Sequence, residues 1–453
     1  MIFMPDRYVS LSREVDQALA STLRDVLLYV VIFRFFAFRA TDLWFGIDTA
    51  DLDGSSDAGS AFNQLILPAM FLAVCAVVHL FRIPVRRLLA ALLPAAPLLL
   101  MIALSPTWSD YPELTIRRAS HELIEALSLA LLATTFSNAT VMLRIFFRAF
   151  LAIGCLDLMS SVMFSQSFTD LGFAGIHGHK NVAGQFLMVA LPIYLQGTLF
   201  KEISGSRLLG LLSFALGITM LVATQSKTSV GAIVVGLSAV LLTRGLSRRT
   251  IPGPLLLVLL LGILCSLAAL IHWGPDELLE ALIGDPTLTG RDQIWRYAVN
   301  KFNANPVVGT GYGAIWQIGP AIQLALRSMG LYLVFNEAHN GYLEIAAQLG
   351  IAGLLCLLIF LVATLLNSLS YWAAIEKRSY RGVGAYTIYI FWGLALANIT
   401  ESIYFQAGIG GSGILIFLGA FAASRNKQSP ATGRHRTRRG PAREIAEPAA
   451  KFS

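Results

Sequence analysis

The stretch "NEAHNGYLEIAAQLGIAGLL", residues 336–355, starts polar, carries one imidazole and then turns apolar. It runs on as "CLLIFLVATLL" to residue 366. An apolar run of this kind is long enough to cross a bilayer as a helix, which takes about 17–25 residues. The same length of apolar sequence recurs along the chain. "PLLLVLLLGILCSLAALI" at 254–271 shows no alternation of apolar and polar residues, which excludes the strands of a membrane β-barrel. Composition agrees. Hydrophobic residues make up 56% of the 453 and charged residues 13%, against roughly a quarter charged in a soluble domain. The expectation is an all-α polytopic membrane protein.

The length criterion places about twelve spans. Their windows are 24–45, 61–81, 86–104, 120–136, 143–164, 182–199, 206–223, 228–243, 254–273, 340–367, 383–400 and 405–423. The resulting organisation is a cytoplasmic N-terminus (1–23), spans one to nine (24–273), a long outer loop (274–338), spans ten to twelve (339–423) and a basic tail (424–453). The N-terminal "MIFMPDRYVSLSREVDQALAS" lacks the apolar core and cleavage site of a secretory signal, so the first span directs insertion. Cys75, Cys155, Cys265 and Cys356 each sit in an apolar run with no metal or redox spacing and read as small hydrophobes.

Lysine and arginine in short loops set the orientation. With the N-terminus in the cytoplasm, the inner loops hold Arg82, Arg86 and Arg87; Arg144; Lys201 and Arg207; Arg244, Arg248 and Arg249; and Lys377, Arg378 and Arg381. The tail adds "RHRTRR". It is expected to be disordered, to sit in the cytoplasm and to touch anionic membrane lipids rather than nucleic acid. The net charge of +7 matters less than this distribution. Topology does not require the cations left on the outer side, which are Arg117, Arg118, Lys180, Lys227, Arg291, Arg296, Lys301 and Arg327. They are candidates for an anionic ligand.

The outer loop is too long to be a plain connection. Within it, "TGRDQIWRYAVNKF" (289–302) puts Ile294, Trp295, Ala298, Val299 and Phe302 on one helical face. A short amphipathic helix that lies on the membrane or caps a cavity is expected there. The other outer motifs are "SPTWSDYPELTIRR" (105–118), "GIHGHKN" (175–181), "TQSKTS" (224–229), "NPVVGTGYG" (305–313) and "EAHNGYLE" (337–344).

This set resembles the O-antigen ligase and Wzy-type polymerase superfamily, most closely its exopolysaccharide polymerase branch. His339-Asn340, nine residues, then Gly350-x-x-Gly353 is similar to the H-N-x9-G-x-x-G signature. Gly290–Trp295 and the turn Pro306…Gly309-x-Gly311 look like the family's long periplasmic loop. The resemblance implies a GT-C-like glycosyltransferase of the bacterial inner membrane with a periplasmic active site. It implies a donor sugar on undecaprenyl diphosphate and a metal-independent, inverting transfer with no cofactor. The acceptor is either a growing glycan, as in a polymerase, or lipid A core, as in a ligase. A chain-length regulator is a further expected partner. A transporter is the reading from another class, but transporters gather polar groups at the midplane in repeated halves.

The residues fit such a donor. A lipid diphosphate needs fixed cations, and arginine donates to phosphate in a parallel fork. Arg291 opposes the dipole at the start of the proposed loop helix, a placement that suits a bound anion. His339, with an ordinary pKa near 6.5, is either a general base or a diphosphate contact. Asn340 could orient it, and Glu344 is a secondary base. Lys180 and Lys227 bind phosphate or anchor helix ends. His179, with His177, is a pocket contact or plain loop, since two histidines make a poor metal site. Arg117 and Arg118 bind sugar or phosphate, or hold the loop. Trp295, Trp316 and Tyr312 stack on sugars or join the aromatic belt, to which Trp108 is assigned. Asp157 makes an interhelical bond or serves function. Glu401 is a further proton acceptor.

Overall fold

The fold is seen in a computed structural model that describes residues 6–37, 61–247, 291–316, 337–374, 381–406 and 410–426. The helices are α1 (Asp6–Ala37), α2 (Ala61–Leu80), α3 (Val85–Leu92), α4 (Ala96–Leu104), α5 (Pro112–Thr135), α6 (Ala139–Met163), α7 (Lys180–Leu199), α8 (Lys201–Ser204) and α9 (Arg207–Thr224). They continue with α10 (Lys227–Ser247), α11 (Arg291–Ala304), α12 (Gly341–Ala374), α13 (Arg381–Thr400) and α14 (Gly410–Asn426). A two-stranded hairpin, β1 (Phe168–Thr169) and β2 (Gly172–Phe173), is the one sheet among the described residues.

Six of these helices are long and apolar enough to cross a membrane, or seven if α3 and α4, bent by 73°, form one span. The expected number was about twelve. The expected span at 254–273, most of the outer loop and the basic tail lie outside the described residues. The other differences have sequence causes. α5 carries Glu113, Arg117, Arg118, Glu122 and Glu125. α2 and α14 contribute only shorter apolar segments, Leu65–Leu80 and Gly410–Arg425. α1 starts at Asp6, well before the expected 24, and its first turns are rich in charge.

α9 packs on α7, α10 on α13, and α5 on both α2 and α14. Aromatic rings fill the centre. Phe146 stacks on Phe150 at 5.7 Å, and Phe36 and Phe186 meet Phe150 edge-on at 5.9 and 6.0 Å. Apolar attraction alone does not hold helices together in lipid, so hydrogen bonds between them count. From α13, Tyr386 and Tyr389 donate their hydroxyls to Val189 O and Met188 O on α7, each at 2.9 Å.

α12 was expected as one continuous span, 340–367. It is broken at Gly350, where φ is 66° and ψ is −163°, a region essentially reserved for glycine. A break in a helix frees backbone groups that need partners. The segment after α11 supplies them. Ile351 N and Ala352 N donate to Pro306 O and Val307 O (2.9 and 3.0 Å), while Thr310 N and Gly311 N donate to Ala347 O and Gln348 O (3.2 and 2.9 Å). The fit is close. A Cβ on Gly350 would lie 2.3 Å from Val307 O, and one on Gly309 would lie 2.3 Å from Gln348 C. The glycines of the two motifs thus form one joint between the outer loop and a short half-helix, 341–349.

Candidate functional site

Four helices begin at one place. Asn181 in the first turn of α7 donates Nδ2 to Glu401 Oε1 at 2.8 Å, and its Oδ1 accepts from Ser226 Oγ just before α10 (3.4 Å). Thr228 in the first turn of α10 meets Thr400 by hydroxyl–hydroxyl contact at 3.1 Å. Arg291, first residue of α11, donates Nη1 to Thr400 O at 2.6 Å. Gly341 N at the start of α12 donates to Glu401 O at 3.2 Å. Each N-terminus carries roughly half a positive charge. Converging helix starts are a ready binding place for an anion.

At the centre is Glu401, 5% exposed. Its Oε1 accepts from Asn181 and faces Arg291 Nη2 at 3.4 Å, while its Oε2 lies 3.4 Å from His339 Nδ1. Glu337 Oε1 is 3.0 Å from the same His339 nitrogen. Burial alone would lower the pKa of His339, but hydrogen bonds to Glu337 and Glu401, and their charges, outweigh it and raise the value to about 9. The imidazole is therefore a cation at neutral pH, which suits a phosphate contact better than a ground-state base. Its φ of 50° is uncommon for a side-chain-bearing residue.

The expected binding residues fall into three groups. Arg291 and His339 touch Glu401, while Lys180 and Lys227 open α7, which meets Glu401, and α10, which meets Thr400. Asn340 and His179 act as helix caps. Asn340 Oδ1 accepts from Tyr342 N and Leu343 N, both at 3.1 Å, and His179 Nδ1 accepts from Asn181 N at 3.3 Å. The third group builds the loop. Trp295 Nε1 donates to Ala338 O at 2.9 Å, and Arg118 donates to Gly313 O and to Trp316 O (2.9 Å). Arg117 is exposed on α5.

Glu344 is held as a structural group. It is 1% exposed and accepts from Trp316 Nε1 (2.7 Å), Ala338 N (2.6 Å), Gln348 Nε2 and Ser402 Oγ (3.4 Å). The neighbouring aromatic residues are also fixed internally. Trp108 Nε1 donates to Val308 O (3.0 Å), and Tyr312 OH donates to Phe405 O (2.8 Å) and lies 3.2 Å from Glu122 Oε2. The face expected on α11 turns inward rather than onto a surface. Ile294 and Ala298 are buried and α11 packs on α12, while Val299 stays 40% exposed. Asp157 ties α6 to the single-turn 3-10 helix Gly175–His177. It accepts from Ile176 N (3.0 Å) and pairs with His177 Nε2 (3.1 Å) in the turn before α7.

Glu337, His339 and Glu401 present ligand atoms within 4.8 Å of one another. A divalent ion there would displace the proton that the imidazole holds between two carboxylates, and it would sit beside Arg291. The same cluster thus offers two carboxylates and an imidazole, donors of the kind a divalent ion takes, beside two cations that an anion could share. The residues that the sequence reading underrated are Glu401, Glu337 and Asn181. The signals available were the lone carboxylate in "ITESIY" and the polar pair that opens α7.

Residues 212–358 match the family model "Wzy_C: O-Antigen ligase". The chain is 26% identical over 280 residues to the exopolysaccharide production protein ExoQ of Rhizobium meliloti (strain 1021). That alignment covers 58% of this chain and 62% of the relative. The matched model contains the start of α11, the glycine joint and the His339 segment. Both similarities lie in the superfamily that the motifs resemble, the family model by its O-antigen ligase description and the relative by its exopolysaccharide one.

Proposed function

We propose that this membrane protein is a glycosyltransferase that polymerises undecaprenyl-diphosphate-linked oligosaccharide repeat units into exopolysaccharide or O-antigen, at the periplasmic face of the inner membrane. The observation that carries the reading is the meeting of Arg291 and His339 at Glu401, among four helix N-termini. The donor presents a diphosphate at membrane depth, and here two cations, balanced by Glu337 and Glu401, meet among helix N-termini. Arg291 and His339 hold the phosphates, with Lys180 and Lys227 at the rim. Glu401 keeps the two cations in place until the anion arrives.

Transfer breaks the bond between the anomeric carbon and the diphosphate oxygen, and the diphosphate leaves with the electron pair. Cations placed where this charge develops lower the barrier. The acceptor hydroxyl attacks from the opposite face, so the configuration inverts, and its proton passes to a carboxylate. Glu337 is assigned that role, because its side chain is 24% exposed against 7% for Glu401. A metal ion has no part in this scheme.

The ligase reading has its own support in the description of the matched family model. One experiment separates the two. Purified protein is incubated with a lipid-linked repeat unit and no other acceptor, with and without chelator. Longer lipid-linked chains, formed equally in both conditions, are expected. Product only after lipid A core is added makes the protein a ligase. Intact donor crossing the bilayer makes it a transporter, and loss of turnover with chelator removes the metal-independent scheme. For topology, an impermeant thiol reagent on intact cells should label a cysteine placed at exposed Asn303.

A further inference from the structure

Glu401 lies in the loop that follows α13, and one side chain decides where that loop begins. Up to its end α13 is regular, and Glu401 N still donates to Ala397 O at 2.9 Å. In a continued helix Ile403 N and Tyr404 N would donate four residues back, to Ile399 O and Thr400 O. Instead both turn to Asn398 Oδ1, at 2.9 and 3.0 Å. A side-chain oxygen here competes with the backbone for the same amides and ends the helix.

The exchange opens a carbonyl that the site uses. With Tyr404 N turned away, Thr400 O is open to Arg291 and accepts its Nη1 at 2.6 Å. One residue on, Glu401 O accepts Gly341 N at 3.2 Å. The Asn398 oxygen also leaves no room for a Cβ on Gly341, so α12 starts against it, two residues after His339. Arg291, Glu401 and the start of α12 are thus located by one amide group.

Packing does not account for that amide. Asn398 is fully buried, and its Nδ2 has no hydrogen-bond partner among the described residues. An unmet donor inside a membrane bundle is costly, and leucine would fill nearly the same volume without it. Aspartate would supply the same acceptor, but it would add a carboxylate near Arg291 and His339, which already face Glu337 and Glu401. Asparagine offers an uncharged acceptor with the reach for two consecutive amides.

We propose that Asn398 is a positioning residue of the anion site: it ends α13 so that the Thr400 carbonyl holds the Arg291 guanidinium where a diphosphate binds. This role rests on the reading of Arg291 as a diphosphate contact. Asn398 touches no ligand itself and acts through Arg291.

The test is a double-mutant cycle on the purified full-length protein in detergent. It is read as the concentration of inorganic diphosphate that gives half-maximal thermal stabilisation, which does not depend on turnover. Asn398→Ala removes the acceptor and is expected to raise that concentration about tenfold, the low end for a lost hydrogen bond to a charged group. Arg291→Ala is expected to raise it at least as far. In the double variant the two effects should not add, because Arg291 is the route by which Asn398 acts. A cap that only stabilised the fold would lower the melting temperature and leave the diphosphate concentration unchanged, or its effect would add in full to that of Arg291. Either result overturns the proposal. Should Asn398→Ala not fold, Asn398→Ser, whose shorter side chain cannot serve both amides, enters the same cycle with the same expectations. A parent that diphosphate does not stabilise sinks the reading of Arg291 and the role of Asn398 with it. A parent that responds, with additive variants, sinks the role of Asn398 alone.

Discussion

Glu344 and Glu401 flank the His339 segment, are 1% and 5% exposed, and have opposite surroundings. Around Glu344 every donor is neutral: an indole, a backbone amide, a side-chain amide and a hydroxyl. Around Glu401 two of the three donors are an arginine and a protonated imidazole. A buried carboxylate is tolerated in either setting, provided that its lone pairs are met. Neutral donors from four places along the chain tie a structure together and have no other use for their charge. Cations held by a carboxylate can be shared with an incoming diphosphate. The region of Glu344 therefore builds the site, and the region of Glu401 operates it.

The largest expected effect tests the building half. Glu344→Ala leaves the Trp316 indole, the Ala338 amide and the Gln348 amide without an acceptor. Each unmet buried donor costs about 1–3 kcal/mol, so a loss of at least ~3 kcal/mol is expected, read as a fall in melting temperature and in folded yield. Glu401→Gln, which keeps an acceptor for Asn181 but removes the charge facing Arg291 and His339, should cost less stability than Glu344→Ala while product formation drops. A Glu344 variant that stays fully stable, or a Glu401 variant that unfolds, breaks the division.

Next in size is the operating half. Arg291→Ala should lower product formation about 100-fold or more, as for loss of one positioned charge-stabilising group, with the protein still folded. Arg291→Lys should recover little, because lysine lacks the planar fork. Equal activity in the alanine variant removes Arg291 from the mechanism.

Parts of this division were legible in the sequence. Apolar run lengths gave the membrane helices, since hydropathy reports the solvent that a segment meets. Excess outer cations pointed to Arg291, Lys180 and Lys227, and the polar motif to His339; Arg291 and His339 meet at Glu401, while Lys180 and Lys227 open α7 and α10. Hydropathy does not report partners, and the misreadings come from there. Residues 340–367 look continuous because nothing local shows that Gly350 breaks the helix. The hydrogen bonds that permit the break come from residues 306–311. Glu344 looked like a spare base because its four donors are scattered from 316 to 402. Glu401 sits in a short loop whose neighbours come from distant helices. Asn340 and His179 read as contacts because capping depends on backbone geometry at the helix start.

A smaller effect sharpens the role of His339. Its pKa in the fold is raised to about 9, from near 6.5 when unfolded. A raised value means that the charged form stabilises the fold. That contribution is complete below pH 6.5 and lost as pH rises through about 9. Donor binding should fall over the same upper range, by about tenfold between pH 8 and 10, and His339→Gln should be flat there. Activity that instead rises between pH 6 and 7.5 in the parent, and not in the variant, makes the imidazole a base.

The smallest effect concerns a third buried carboxylate. Asp157 Oδ1 accepts from Ile176 N at 3.0 Å, its Oδ2 faces His177 at 3.1 Å, and the His177 ring stacks on Phe186 with centres 5.1 Å apart. Together they pin the turn from which His179 caps α7 and Asn181 reaches Glu401. By this geometry Asp157 belongs with Glu344, acting on the site only through the position of α7. Asp157→Asn keeps an acceptor for Ile176 N and removes the charge beside His177. The expected result is a rise of about two- to fivefold in KM for the lipid-linked donor, less than one hydrogen bond to a charged group is worth, with kcat unchanged. A fall in kcat at constant KM would place Asp157 on the operating side instead.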